Sequence, residues 1–157
     1  MARLRRQLSP LLTPVFRTYW RVSRAMTLGA RVLAQDSEGR VMLVKPSYRQ
    51  GWELPGGGVE KLETAEDAAR RELAEEGGLL AEGPMALVGL YANHANFKND
   101  HIVLFHTTRF APCPPDSHGE IEARGFFAFD ALPDDVTKGT HRRLEELFNA
   151  APKSLDW

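Results

Sequence analysis

Residues 51–79, GWELPGGGVEKLETAEDAARRELAEEGGL, constrain the chain more than any other stretch. A brief extended piece, WELPGGG, ends in a glycine turn. The clearest helix of the chain is expected over 64–76. Thr64 is a good N-cap, and Asp67, three positions on, stands where a capping box prefers Glu or Gln. Glu66–Arg70 and Asp67–Arg71 are acid-before-base pairs at i,i+4, each worth about 0.2–0.5 kcal/mol. Ala65, Ala68, Ala69 and Leu73 supply an apolar face, and Gly77 and Gly78 end the helix. The last turn breaks this pattern. Glu72, Glu75 and Glu76 share one side at the negative end of the helix dipole, where each acid costs about 0.3–1 kcal/mol. Arg71 is expected to relieve Glu75 only in part. A solvated acidic face is the ordinary explanation for such a cluster. A bound divalent cation is the other, because hard cations such as Mg²⁺ take carboxylate oxygens at about 2.0–2.1 Å.

The rest of the chain alternates strands with helices. MTLGARVLAQD and RVMLVKP, joined by a turn at Asp36–Gly39, predict a hairpin over 28–45. PMALVGLYAN, DHIVLFHTTRF and GFFAFD are further strands, APCPPDSHGE a proline-rich loop, and THRRLEELFNA a closing helix. This order predicts an α/β domain with a mixed sheet, and the hairpin argues against an all-parallel one. A chain of 157 residues, 43% of them hydrophobic, suits a single domain with a buried core. Cys113 is the only cysteine, so no intramolecular disulfide forms. With no signal peptide and no apolar run near the ~20 residues that span a bilayer, a cytoplasmic location is expected.

The spacing around the helix carries a resemblance. Gly57 is followed by five residues, Glu63, seven residues, then Arg71-Glu72-Leu73, Ala74, Glu75-Glu76, Gly77 and Gly78-Leu79. This resembles the signature box of the Nudix hydrolases at every fixed position and covers 23 of the 157 residues. WELPGG before it and EIEARGFF well after it look like other members. The resemblance implies an α/β/α sandwich around the mixed sheet, and hydrolysis of a nucleoside diphosphate linked to another group with Mg²⁺ or Mn²⁺. Carried over by position, Glu72, Glu75 and Glu76 would hold the metal with the backbone carbonyl of Gly56. Arg71 and Glu63 would pair to hold the loop against the helix, a role close to that of a plain structural ion pair. Many members have glycine just before Glu63, where this chain has Leu62. Leucine is disfavoured at positive φ, so a different backbone conformation is expected there.

Carboxylates alone would repel a pyrophosphate, and divalent ions invert that field. The general base implied by the resemblance is a box glutamate such as Glu75, or a glutamate on a later loop, with Glu120 and Glu122 as candidates. Both also read as solvated loop acids. His94, His101 and His106 lack the spacing of a zinc site. Tyr91, Asn93, His94, Asn96 and Phe97 are candidates for the substrate pocket, since an aromatic ring stacks on a base, although a core tyrosine is commoner. Glycines 56–58 are not a phosphate-binding P-loop, because the Lys-Ser/Thr that completes one is missing.

Residues 1–26 form a separate basic arm on the domain at 27–157. The arm holds six arginines and no acid, so the net charge of −1 leaves −7 on the domain. Thr13–Pro14 starts a short basic amphipathic helix with Phe16, Tyr19 and Trp20 along one side. Three readings stand for it: packing on the domain or at a homodimer interface, lying on an anionic membrane surface, or holding a polyanionic substrate such as an RNA end. For the whole chain the leading reading is a pyrophosphohydrolase acting on a small nucleotide. A proline some way past the box, carried by ADP-ribose-cleaving members, has no counterpart between Pro84 and Pro112, which disfavours that substrate. The alternatives are a non-catalytic nucleotide-sensing domain, against which the intact box argues, and an isoprenoid diphosphate isomerase, for which Cys113 is a poor catalytic cysteine.

Overall fold

A computed structural model describes Tyr19 and residues 23–157. The basic helix expected from Thr13, with Phe16 and Trp20, lies outside the described residues. Eight strands and two helices follow: β1 (Thr27–Ala34), β2 (Val41–Pro46), β3 (Gly56–Gly58), α1 (Ala65–Glu75), β4 (Leu79–Ala81), β5 (Ala86–Ala92), β6 (Asp100–Thr107), β7 (Phe110–Pro112), β8 (Ile121–Phe127) and α2 (Lys138–Phe148). The central sheet runs β3-β1-β6-β5, with β2–β8 and β4–β7 as two-stranded companions. It is mixed: β1 and β6 are parallel, while β3 and β5 are antiparallel to their neighbours.

Strand alternation builds the two cores. Ala30, Val32 and Ala34 of β1, with Val103 and Phe105 of β6, face Ala68, Ala69 and Leu73 of α1. Leu33, Leu104 and Tyr91 point the other way, toward Leu54 and Leu144 of α2. A helix therefore covers each face, which is the expected α/β/α sandwich. No helix among the described residues is long and apolar enough to cross a membrane.

The hairpin over 28–45 is corrected. Its turn forms: the Asp36 carboxylate accepts the Glu38 and Arg40 N–H groups at 3.0 and 2.8 Å, and Gln35 bridges Val41. Beyond that bridge the strands part. β1 is already paired on both edges, by β3 and by a ladder with β6 running from Thr27–Asp100 to Ala34–Thr107. With its backbone groups satisfied there, β2 joins β8 instead. The strand expected at GFFAFD also begins earlier, at Ile121, because Lys45 and Val44 pair Ala123 and Arg124. Glu122 thus belongs to a strand rather than a loop.

Leu62 is a second correction. It adopts φ +68° and is fully exposed. The turn keeps the left-handed conformation, held by the Glu63 N–H to the Glu60 carbonyl at 3.3 Å and the Glu60 N–H to Glu63 Oε2 at 3.0 Å. Leucine there bears strain of about 1–2 kcal/mol with no packing in return. Leu62→Gly is expected to raise stability by about 0.5–1 kcal/mol, the strain relieved minus the added freedom of the unfolded chain. Urea unfolding with an unchanged slope and a higher midpoint would bear this out; a lower midpoint would contradict it.

Candidate active site

Helix α1 starts at Thr64, whose Oγ1 accepts the Asp67 N–H at 3.1 Å. Its apolar face is fixed by Ala68, Ala69 and Leu73, all fully buried. That anchoring turns its last residues toward β3. Glu76, the C-cap, is 7% exposed, and its Oε2 accepts the Gly56 N–H at 2.8 Å. Burial pushes the Glu76 carboxyl up to about 7, against the opposing pull of the Gly56 hydrogen bond and the Arg31 charge. Burial also raises the Glu72 carboxyl, opposed by Arg71.

Arg71 does more than the sequence suggests. Its Nε and Nη2 donate to the two Glu63 oxygens at 3.0 and 3.2 Å, and Nη2 donates to the Gly58 carbonyl at 3.1 Å. Its Nη1 donates to Glu72 at 2.6 Å and Glu75 at 3.2 Å. The hydrogen bond from Arg71 holds the Glu63 carboxyl below the usual carboxylate range, and Glu63 in turn raises Arg71. Three of the four box glutamates therefore share one guanidinium, and the crowding at the helix end costs less than the helix alone implies. Among the described residues no three of His, Cys, Asp and Glu are gathered in position to hold a metal ion. The donor set nonetheless fits a hard dication. Glu72, Glu75 and Glu76 offer carboxylate oxygens on one side of one helix, and among the described residues buried Glu76 has no cationic hydrogen-bond partner.

The glycines are steric requirements. A Cβ on Gly56, at φ +151°, would overlap the Ala30 carbonyl and lie 2.8 Å from Arg31 Cα. A Cβ on Gly57 would strike the Glu72 carboxylate.

Opposite the α1 face, a cavity of about 480 Å³ opens between β1, β6 and the start of α2. Arg31 connects it to the box. It stands across β3 from Gly56, its charge acts on both Glu72 and Glu76, and it lines the cavity. Its guanidinium is held by the Leu54 carbonyl and by Glu53 at 3.3 Å, and Arg49 closes on the same Glu53 carboxylate.

Two of the expected pocket residues are there. Asn93 donates to Asp100 Oδ2 at 2.7 Å and accepts from Asn96 at 2.8 Å, and both line the cavity. His94 and Phe97 do not line it: His94 lies edge-on to His101 at 5.0 Å between centroids, and Phe97 is 60% exposed. Tyr91 is outside the cavity lining and 4% exposed, with the Arg143 guanidinium 3.9 Å from its ring centroid and Trp157 at 5.9 Å. The loop before the later glutamates touches the box, where the Asp116 N–H donates to the Glu75 carbonyl at 3.2 Å. Glu120 is exposed and its carbonyl accepts the Ser47 N–H at 2.8 Å. Glu122 lines a separate hollow with Lys45, Tyr48, Arg49 and Asp135.

Sequence reasoning missed Arg31, Arg49, Lys138 and Trp157 in the cavity wall. Arg31 had a signal, a charge within the apolar run GARVLA on the same side as Leu33. Trp157 had none.

Residues 26–148 match the NUDIX domain. A "Putative 8-oxo-dGTP diphosphatase" of Bacillus subtilis (strain 168) is 37% identical over 79 residues, and the chain spans about half the length of that curated relative, 52%, using 50% of its own. Among solved structures, the MutT NUDIX hydrolase from Burkholderia pseudomallei is 29% identical with a TM-score of 0.67, covering 77% of this chain and 97% of that one. A NUDIX hydrolase from Nitrosomonas europaea, 24% identical over 81% of this chain and 74% of its own, shares the fold with a TM-score of 0.60. With more than half of its residues matched and the box folded as one unit, the chain belongs to the NUDIX domain family.

Proposed function

We propose that this protein hydrolyses a pyrophosphate bond in a nucleoside diphosphate linked to another group, with nucleoside triphosphates as its substrate class. The observation that carries this reading is the intact box folded around Arg71, with the Gly56 N–H on Glu76. The Bacillus subtilis relative supports the triphosphate class, because its name describes a diphosphatase acting on a deoxynucleoside triphosphate; the Burkholderia pseudomallei protein supports NUDIX hydrolysis.

In the proposed site Glu72, Glu75 and Glu76, with the Gly56 carbonyl, would hold Mg²⁺ or Mn²⁺, which would supply positive charge against the pyrophosphate and lower the pKa of a bound water. The protein's own residues set the geometry. The Gly56 N–H fixes the Glu76 rotamer, and the Glu63–Arg71 pair ties the loop after β3 to α1. Arg31, between the box and the cavity, faces the phosphates. Water attacks phosphorus, the anhydride P–O bond breaks, and a carboxylate takes the proton. Glu75 is the candidate for that role, being on the box and more exposed than Glu72 (41% against 13%). Glu120 and Glu122 make no hydrogen bond or ion pair with the box among the described residues.

The test is a phosphate-release screen over nucleoside triphosphates, dinucleoside polyphosphates, nucleotide sugars and capped RNA, each with Mg²⁺ and with Mn²⁺. Triphosphates are expected to be cleaved best, and Glu75→Gln to lower kcat by about 10²–10³-fold. Full activity in that variant, or no cleavage of any class, would sink the assignment.

A further inference from the structure

Residues 149–157 lie beyond the range that matches the family, yet they are firmly seated. The Ala92 N–H donates to the Leu155 carbonyl at 2.8 Å, and the Trp157 N–H donates to the Ala92 carbonyl at 2.9 Å, a parallel bridge at the end of β5. From α2, Arg142 Nη1 donates to the Asp156 and Trp157 carbonyls at 3.0 and 2.6 Å. Arg143 Nη2 donates to the Asp156 carbonyl at 3.1 Å and to Glu146 at 2.8 Å, and Glu146 also accepts the Ser154 N–H at 2.8 Å. The Arg143 side chain is fully buried. A buried charge is costly unless paired and hydrogen-bonded, and this one spends its hydrogen bonds largely on the tail.

What the clamp positions is Trp157. Its ring lies against Tyr91 and beside Gly139, in the first turn of α2, where a Cβ would overlap the indole. Trp157 is part of the cavity wall together with Arg31, Asn93 and Asn96. That wall is otherwise charged and polar apart from Ile102, and its volume falls in the range of small-molecule sites. Cations suit phosphates. A planar apolar surface among them suits a ring.

We propose that Trp157 binds the nucleobase by giving it an aromatic surface to stack on, with Asn93 and Asn96 as hydrogen-bonding neighbours, so that a nucleotide is held over a bare polyphosphate. This rests on the cavity being the nucleotide site of the proposed enzyme. The tail is then a positioning segment: Arg142, Arg143 and Glu146 act on the base only through Trp157.

The experiment is calorimetric titration of the full chain, in EDTA, with each of the four nucleoside 5′-monophosphates and with inorganic tripolyphosphate, which has no base. At least one monophosphate is expected to bind. Trp157→Ala should weaken it about tenfold while Trp157→Phe stays within about twofold, because stacking is sequence-tolerant and depends on the ring. Tripolyphosphate binding should change in neither. Gly139→Ala, which displaces the indole and leaves it intact, should weaken the monophosphate as Trp157→Ala does. With the best triphosphate, KM should rise by the same factor and kcat hold. No monophosphate binding by the parent protein overturns the proposal, as does unchanged affinity in Trp157→Ala. Equal losses for tripolyphosphate and monophosphate would mark Trp157 as structural, and melting curves on all variants identify a folding defect. Binding is read without metal or turnover, so an inactive protein that still binds through Trp157 would sink the hydrolase reading and leave this one standing.

Discussion

Glu76→Gln is expected to lose about 10²–10³-fold in kcat against the best triphosphate while gaining stability in metal-free buffer. The two halves have one cause. Glu76 is 7% exposed, its carboxylate accepts the Gly56 N–H as its one hydrogen bond among the described residues, and burial pushes its carboxyl up to about 7. A glutamine keeps an oxygen for that N–H and removes the buried charge, worth about 1–3 kcal/mol. It also removes an anionic donor from the proposed metal site. Opposite signs in the two measurements would show a residue kept for chemistry at the expense of the fold. A fall in both would instead make Glu76 a structural acceptor that happens to be an acid. Isothermal titration with Mn²⁺ separates the cases, since weakened ion uptake belongs only to the first.

Gly56→Ala is expected to cost about 3 kcal/mol or more, or roughly 6–12 °C in Tm. The added methyl would overlap the Ala30 carbonyl and approach Arg31 Cα to 2.8 Å, and both are backbone of the central strand. Neither can give. β3 would have to leave β1, breaking the Gly29–Gly58, Ala30–Gly57 and Arg31–Gly56 register and the hydrogen bond to Glu76. Gly58→Ala is the control. Nothing stands within 4 Å of its Cβ, so a change within about 0.5 kcal/mol is expected. Similar losses for the two variants, followed by thermal melts, would refute the steric explanation.

Local chemistry was legible in the sequence and distant pairing was not. Helix α1 announced itself because its cap, its i,i+4 pairs and its terminal glycines all lie within one short window. The box spacing carried Glu63 and Arg71 together, and the structure joins them at 3.0 Å. The expected hairpin failed because the edges of β1 are filled by residues far along the chain, which no local pattern encodes. Leu62 failed for a different reason: the turn around it demands a left-handed residue, and the surrounding hydrogen bonds outweigh the preference of the side chain. The packing of Tyr91 is not readable locally, because its partners Arg143 and Trp157 are about 50 or more positions away in sequence. The cavity was invisible for the same reason, since it is assembled from five separate segments around Arg31, Arg49, Asn93, Lys138 and Trp157.

The place of β1 at the centre of the sheet sets a timetable for synthesis. Its partner on one side, β3, leaves the ribosome soon after it, but the other side waits for residues 100–107. Until then the innermost strand has an open hydrogen-bonding edge in a nascent chain, the kind of edge that recruits unwanted partners. Pairing over so long a loop is slow as well. Elongation that stalls between β3 and β6 therefore leaves the central strand of the sheet with one edge unpaired.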